Sequence, residues 1–236
     1  MRLGVVGMLP PDFRDINNDH LEAIKALKLT GTAFHAAGDM LADVTTEECH
    51  TVRDTVAAAG MDLPQFGIGF SECLFDPDRV VGKIERGIEV ACDLGAFTCL
   101  IRTGSLNPEG SYSPARENLT SEARNQLVET LKRVAAKAEA EDVTIVIETH
   151  ALTIMGSPEA NRDILQAVGC ERVTVVMDFV NHFQNLDQVY NNTQRLQHIF
   201  DIMNPISVVG HVKDIKLSPG LVLHIDEEIP GDGELD

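Results

Sequence analysis

Three short apolar runs, each ending in polar residues, constrain this chain more than any other feature. They are Val143-Thr-Ile-Val-Ile-Glu148-Thr-His150, Val173-Thr-Val-Val-Met-Asp178-Phe-Val-Asn181-His182 and Ile206-Ser-Val-Val-Gly-His211-Val-Lys213-Asp214. Each run is rich in β-branched residues and about as long as a buried strand. Helix-like sequence separates them, which is the order of a parallel sheet with helical crossovers. In such sheets chemistry sits at the carboxyl ends of the strands. Glu148, Asp178 and His211 fall at those ends, and two carboxylates with an imidazole can hold a divalent cation.

The rest of the chain repeats the pattern. Strands are expected at Arg2 to Gly7, at Thr30 to His35 with His35 at the exit, at Asp62 to Gly69 weakened by Pro64, and at Ala96 to Arg102. Helices are expected between them. Asn17 or Asn18 caps the first, which carries Leu21, Ile24 and Leu27, and Thr45 or Thr46 followed by Glu47 and Glu48 opens the second. A third runs from about Asp76 to Leu94, with Val80, Ile84, Ile88 and Ala91 on one face. The clearest carries the stripe Leu127, Leu131, Val134, Ala138. Further helices are expected from Pro158 to Val168 and from Leu186 to Ile202. A long loop rich in Gly, Ser and Pro, Thr103 to Asn118, is of the kind that shapes a site. Seven strand–helix steps of roughly thirty residues point to a (β/α)₈ barrel forming a single domain over residues 1–236. A doubly wound open sheet is the alternative, though no G-x-G-x-x-G follows the first strand.

Composition narrows the function. There are 37 acidic and 19 basic residues, a formal net charge of −18, and this balance opposes a nucleic-acid partner. No apolar run is long enough to span a membrane, and the N-terminus has no signal peptide pattern. The five cysteines, Cys49, Cys73, Cys92, Cys99 and Cys170, form no C-x-x-C pair and are expected to be free thiols, which suits a cytoplasmic location.

A carboxylate ending an apolar strand is costly unless paired or metal-bound. For Glu148 and Asp178 the plain alternative is a salt bridge, and for His211 a hydrogen-bonded core histidine. No cysteine lies at the three strand ends, so Mn²⁺, Mg²⁺ or Co²⁺ fits the ligand types as well as Zn²⁺ does. Side chains alternate along a strand, so His150 points with Glu148 and Lys213 with His211. Either can reach a polyol or its phosphate, while Lys213 can also simply pair with a carboxylate. Arg102 can hold an anion bidentately or form a salt bridge at the rim. Asn181 and His182 lie past the end of their strand. His35, His50, His198 and His224 are read as surface or structural.

The motifs Ile147-Glu148-Thr-His150, Met177-Asp178-Phe-Val-Asn181, Gly210-His211-Val-Lys213-Asp214 and Pro230-Gly231-Asp-Gly233-Glu-Leu-Asp236 resemble those of the xylose isomerase-like TIM barrels, sugar (phosphate) isomerases and epimerases related to the AP endonuclease family. The resemblance implies one divalent metal, Mn²⁺ foremost, with Glu148, Asp178 and His211 matching three of four ligands. It implies proton abstraction beside a sugar carbonyl through a metal-stabilised enediolate, with Glu148 as an acid/base. His150, Asn181, His182, Lys213 and Arg102 are the expected substrate-binding residues. The partner is a sugar or sugar phosphate, and a homo-oligomer stays open. Ketose 3-epimerases of the family carry D-x-x-H where this chain has Asp178 and Asn181. The family's strand-eight Glu has no match before Asp236. The chain is therefore expected to be an incomplete form of a longer protein, short by roughly 30–50 residues. A lyase of the same fold and a non-catalytic binding subunit are the other readings.

Overall fold

The computed structural model describes residues 2–69 and 74–236. Cys73 lies outside these residues; Cys49, Cys92, Cys99 and Cys170 are all free. Strand β1 (Gly4–Val6) is followed by helix α1 (Asn18–Ala26), β2 (Gly31–Ala37), α2 (Gly38–Asp43), α3 (Thr46–Ala58) and β3 (Asp62–Gly69). Then come α4 (Pro77–Asp93), β4 (Thr98–Arg102), α5 (Ser121–Ala140), β5 (Thr144–Glu148), α6 (Pro158–Val168) and β6 (Val173–Met177). The chain continues through α7 (Leu186–Tyr190), α8 (Asn192–Met203) and β7 (Ser207–Gly210), and its last strands are β8 (Asp214–Ser218) and β9 (His224–Glu228).

Local chemistry accounts for the helix limits. Asn17 caps α1, its side chain accepting from the amides of Asp19 and His20. Thr45 and Glu48 form a reciprocal capping box at α3. Helix α6 starts on the Ser157 cap with Pro158 in its first turn and stops at Gly169, whose φ of 72° is left-handed. The stripes on α4 and α5 are buried as expected. Three features depart from expectation. Strand β2 runs two residues past His35. The segment expected as one helix from Leu186 divides at Asn191 into α7 and α8. Helix α2 and the hairpin of β8 and β9 were not anticipated.

Strands β1 to β7 are parallel and lie in the order of the sequence. A doubly wound sheet reverses its strand order at a switch point, so that alternative is excluded. Pro64 is tolerated within β3 because the β2–β3 register slips between Gly31 and Ala33, where a missing N–H does least harm. The sheet is curled. Gln65 on β3 and His211 after β7 meet at 3.3 Å, whereas strands four places apart in a flat sheet lie ~19 Å apart. Residues of one parity, Cys99, Ile101, Ile145, Ile147, Val173 and Val175, pack under the helices. Those of the other parity, Leu100, Val146 and Val176 with Val209, form a small separate cluster on the concave face. Among the described residues, strand β1 pairs only with β2 and β7 only with β6, so the seven strands make an unclosed barrel. Among the described residues, no helix is long and apolar enough to cross a membrane.

Candidate metal centre

Alternation carries the concave parity outward to polar residues: Leu100 to Arg102, Val146 to Glu148, Val176 to Asp178 and Val209 to His211. All four lie at the carboxyl end of the sheet, directly above the small apolar cluster. One donor atom each from Glu148, Asp178 and His211 lies within 4.8 Å of the others. His211 Nδ1 is 3.5 Å from Asp178 Oδ2 and 3.9 Å from Glu148 Oε1. Its Nε2 faces the Oε1 of buried Gln65 at 3.3 Å.

Each carboxylate has a cationic neighbour. Arg102 Nε donates to Glu148 Oε2 at 3.0 Å, and the Tyr112 hydroxyl donates to the same oxygen at 3.4 Å. Lys213 Nζ lies 3.0 Å from Asp178 Oδ2 and 3.4 Å from Glu227 Oε2 on β9. Burial works against the charged Lys213, but the carboxylates of Asp178, Glu227 and Glu148 outweigh it and hold its pKa above the usual lysine value. Asp178 has no exposed side chain, and its Oδ1 is buried with no hydrogen-bond partner. An unmet buried carboxylate oxygen is expensive. A divalent cation among these three side chains would satisfy it, and the ligand types, two carboxylates and an imidazole with no thiolate, fit such an ion.

Two further imidazoles flank the cluster. His150 is buried beside Tyr112, the ring centroids 5.2 Å apart, and burial lowers its pKa against the opposing pull of Glu148. His35, read from the sequence as surface or structural, lies close to the cluster. It lies on the concave face over Gly67, where an added Cβ would come within 2.0 Å of its ring. Burial lowers its pKa, as does the charge of Arg102, while Glu148 pulls the other way. The Nε2 atoms of His35 and His150 are both buried without hydrogen-bond partners.

Asn181 and His182 do not join the cluster. Asn181 Nδ2 donates to the Thr149 carbonyl at 3.1 Å. His182 is fully buried, with Nε2 3.3 Å from Thr149 Oγ1 and 3.5 Å from Asn161 Nδ2, and Nδ1 3.4 Å from the Gly156 carbonyl. Burial drives its pKa down to about 4. These two residues tie the segment after β6 to the segment after β5, and so fix the strand ends that carry Asp178 and Glu148. Sequence reasoning missed Gln65, Tyr112 and Glu227 at the site. Gln65 had a signal, a polar residue between the apolar Leu63 and Phe66; Tyr112 lies in the Thr103 to Asn118 loop read as shaping a site, though nothing singled it out within that loop, and Glu227 had no signal.

An unclosed parallel barrel with a carboxylate–imidazole cluster at its carboxyl end defines a class of protein. The profile of the xylose isomerase-like TIM barrel family matches residues 21–236, and the chain belongs to that family. Solved structures agree. A xylose isomerase-like TIM barrel protein from Mycobacterium smegmatis, in complex with magnesium, aligns with a TM-score of 0.72 at 14% identity, over 100% of this chain and 83% of that one. The 3-keto-D-glucoside 4-epimerase from E. coli aligns at 0.67 with 14% identity, over 91% of this chain and 79% of its own. A probable 3-DHS dehydratase from Bacillus anthracis aligns at 0.67 with 13% identity, over 92% and 74% respectively. At such identities the likeness is one of fold. No curated protein sequence matches the chain.

Proposed function

We propose that this protein is a divalent-metal-dependent isomerase or epimerase of a sugar or sugar phosphate. Buried Asp178, with an oxygen left unpartnered beside Glu148 and His211, carries the reading. These three side chains would hold the ion, Mn²⁺ foremost, which would polarise a substrate carbonyl and stabilise negative charge developing there. Glu148 takes the proton from the adjacent carbon, a contribution of about 10²–10⁴-fold for a well-placed base. Lys213 and Arg102 stand on either side of the carboxylates, where their N–H groups can orient sugar hydroxyls or a phosphate. His150, kept neutral by burial, can accept or donate a hydrogen bond to the same ligand. Asn181 and His182 support the site through Thr149. The small apolar cluster of Leu100, Val146 and Val176 closes the floor of the cup against water.

A dehydratase begins with the same proton abstraction, and the Lys213 ammonium can donate a proton to a leaving hydroxyl. Metal analysis of the purified protein, followed by incubation with ketoses, aldoses and their phosphates in D₂O, tests the reading. Metal-dependent exchange of a carbon-bound proton beside the carbonyl is the expected outcome. Product analysis then separates isomerase from dehydratase, and absence of exchange with every candidate would defeat both.

A further inference from the structure

The loop between β4 and α5 is long but tightly tied. Ser105 Oγ donates to the Ser113 carbonyl at 2.6 Å, and Asn107 Nδ2 donates to the Pro114 carbonyl at 2.8 Å. Buried Asn118 accepts from the Leu106 amide at 2.8 Å and donates to the Leu152 carbonyl at 3.2 Å. These bonds pin both limbs of the loop, one of them to the segment after β5. They hold Tyr112 at its tip over the cluster.

Tyr112 makes three contacts there, each to a different residue of the site. Its hydroxyl meets Glu148 Oε2, its ring lies 5.8 Å from the Arg102 guanidinium carbon, and its ring is beside His150. A tyrosine that is 54% exposed has no packing need to adopt this position. Glu148 therefore has its two oxygens in different surroundings. Oε2 is occupied by two donors, Arg102 and Tyr112. Oε1 is turned toward His211 Nδ1. We infer that Tyr112 is a positioning residue for Glu148: with Arg102 it engages Oε2 and presents Oε1 alone to a divalent cation. The inference rests on the metal-centre reading and adds to it a one-oxygen role for Glu148 in holding the ion, fixed from the β4–α5 loop; the proton would go to Oε2 once a bound substrate displaces the Tyr112 hydroxyl from it.

The chain has two tyrosines and no tryptophan, which supplies a clean reporter. In a Tyr190→Phe background Tyr112 is the only tyrosine, so tyrosine emission reports on it alone. Adding Mg²⁺ to the metal-free protein should change that emission saturably, because the ion draws on the carboxylate that the phenol contacts. Calorimetric titration with Mn²⁺ should show Tyr112→Phe binding about tenfold more weakly than the wild type, the lower end for loss of such a supporting partner. The urea midpoint of the metal-free variant should be unchanged, since only an exposed hydroxyl is removed. Tyr112→Ala should match Tyr112→Phe in affinity. If Tyr112→Phe binds Mn²⁺ as the wild type does, the role of Tyr112 falls while the centre stands. If affinity drops only in Tyr112→Ala, ring packing is responsible and the inference is again overturned. If the wild type binds neither Mn²⁺ nor Mg²⁺, the centre itself fails, and the inference with it.

Discussion

Asp178 and His182 sit four residues apart, both without exposed surface. Asp178 is a buried carboxylate with Lys213 on one oxygen and nothing bonded to the other. Replacing it by Asn removes a charge that is only half compensated, and Lys213 keeps Glu227. Asp178→Asn should weaken Mn²⁺ binding by at least ~100-fold while metal-free stability stays within ~1 kcal/mol of wild type. A variant that unfolds easily yet binds Mn²⁺ normally would contradict this. His182 is buried neutral, its pKa about 4 in the fold against ~6.5 in an unfolded chain. Above the higher value neither state binds the proton and the residue contributes no pH dependence. Between the two values the unfolded chain is protonated and the folded one is not. Stability should therefore fall with falling pH through this window, by up to ~1.4 kcal/mol per pH unit. Urea unfolding at a series of pH values, wild type against His182→Gln, measures it: the difference between the curves should shrink as the pH is lowered.

At the scale of elements, the segment that follows the hairpin of β8 and β9 is anchored chiefly on one side chain. Asp214 Oδ2 accepts from the amides of Gly231 and Gly233, and Oδ1 from those of Ile215 and Leu235. These bonds hold its pKa down despite the opposing effect of desolvation. The support they give is present above the unfolded value of ~3.9 and is lost as pH falls through the lower folded one. Asp214→Asn turns one oxygen into a donor facing two N–H groups. Amides of residues 231–235 should then exchange faster at neutral pH, their opening free energy reduced by ~1–3 kcal/mol. Unchanged exchange there would refute the anchoring role. The same elements show what a sequence can disclose. Strands β4 to β6 were legible as short unbroken apolar runs, because they are buried on both faces, and the stripes of α4 and α5 because helical burial imposes a period of 3.6. The motif at Pro230 to Asp236 was visible, but its partner Asp214 lies 17 to 21 residues away with no periodicity to link them. His35 was legible as a strand end, but its place opposite Gly67 on the concave face follows from the β2–β3 register, which no local pattern specifies. Tyr112 lies on a loop, where position follows from hydrogen bonds between distant residues rather than from any repeat.

Across the whole molecule, seven parallel strands curl without closing, and three of them meet at the candidate centre. Glu148, Asp178 and His211 were legible individually, as polar ends of apolar runs; that they meet depends on the curl, which no local pattern specifies. The chain carries 37 acidic against 19 basic residues, so affinity for duplex DNA, abasic or intact, should be negligible at physiological salt. A gel shift at micromolar protein that weakens steeply with salt would contradict this. The same acidity attracts any divalent cation weakly, so a specific site has to be recognised by its link to folding. The donors of the centre come from the ends of β5, β6 and β7, and an unfolded chain cannot hold them together. An ion bound there ties three strands to one another, next to the unclosed edge at β7. Binding to the folded state alone stabilises by ~2.7 kcal/mol when the free ion is at a hundred times its Kd. The urea midpoint should rise with the logarithm of Mn²⁺ concentration and return on adding EDTA. In Asp178→Asn, which differs from the wild type by a single surface-inaccessible charge, the rise should be absent at the same concentrations. An equal rise in both proteins would mean that the ion acts through the acidic surface and that the three side chains are not its site.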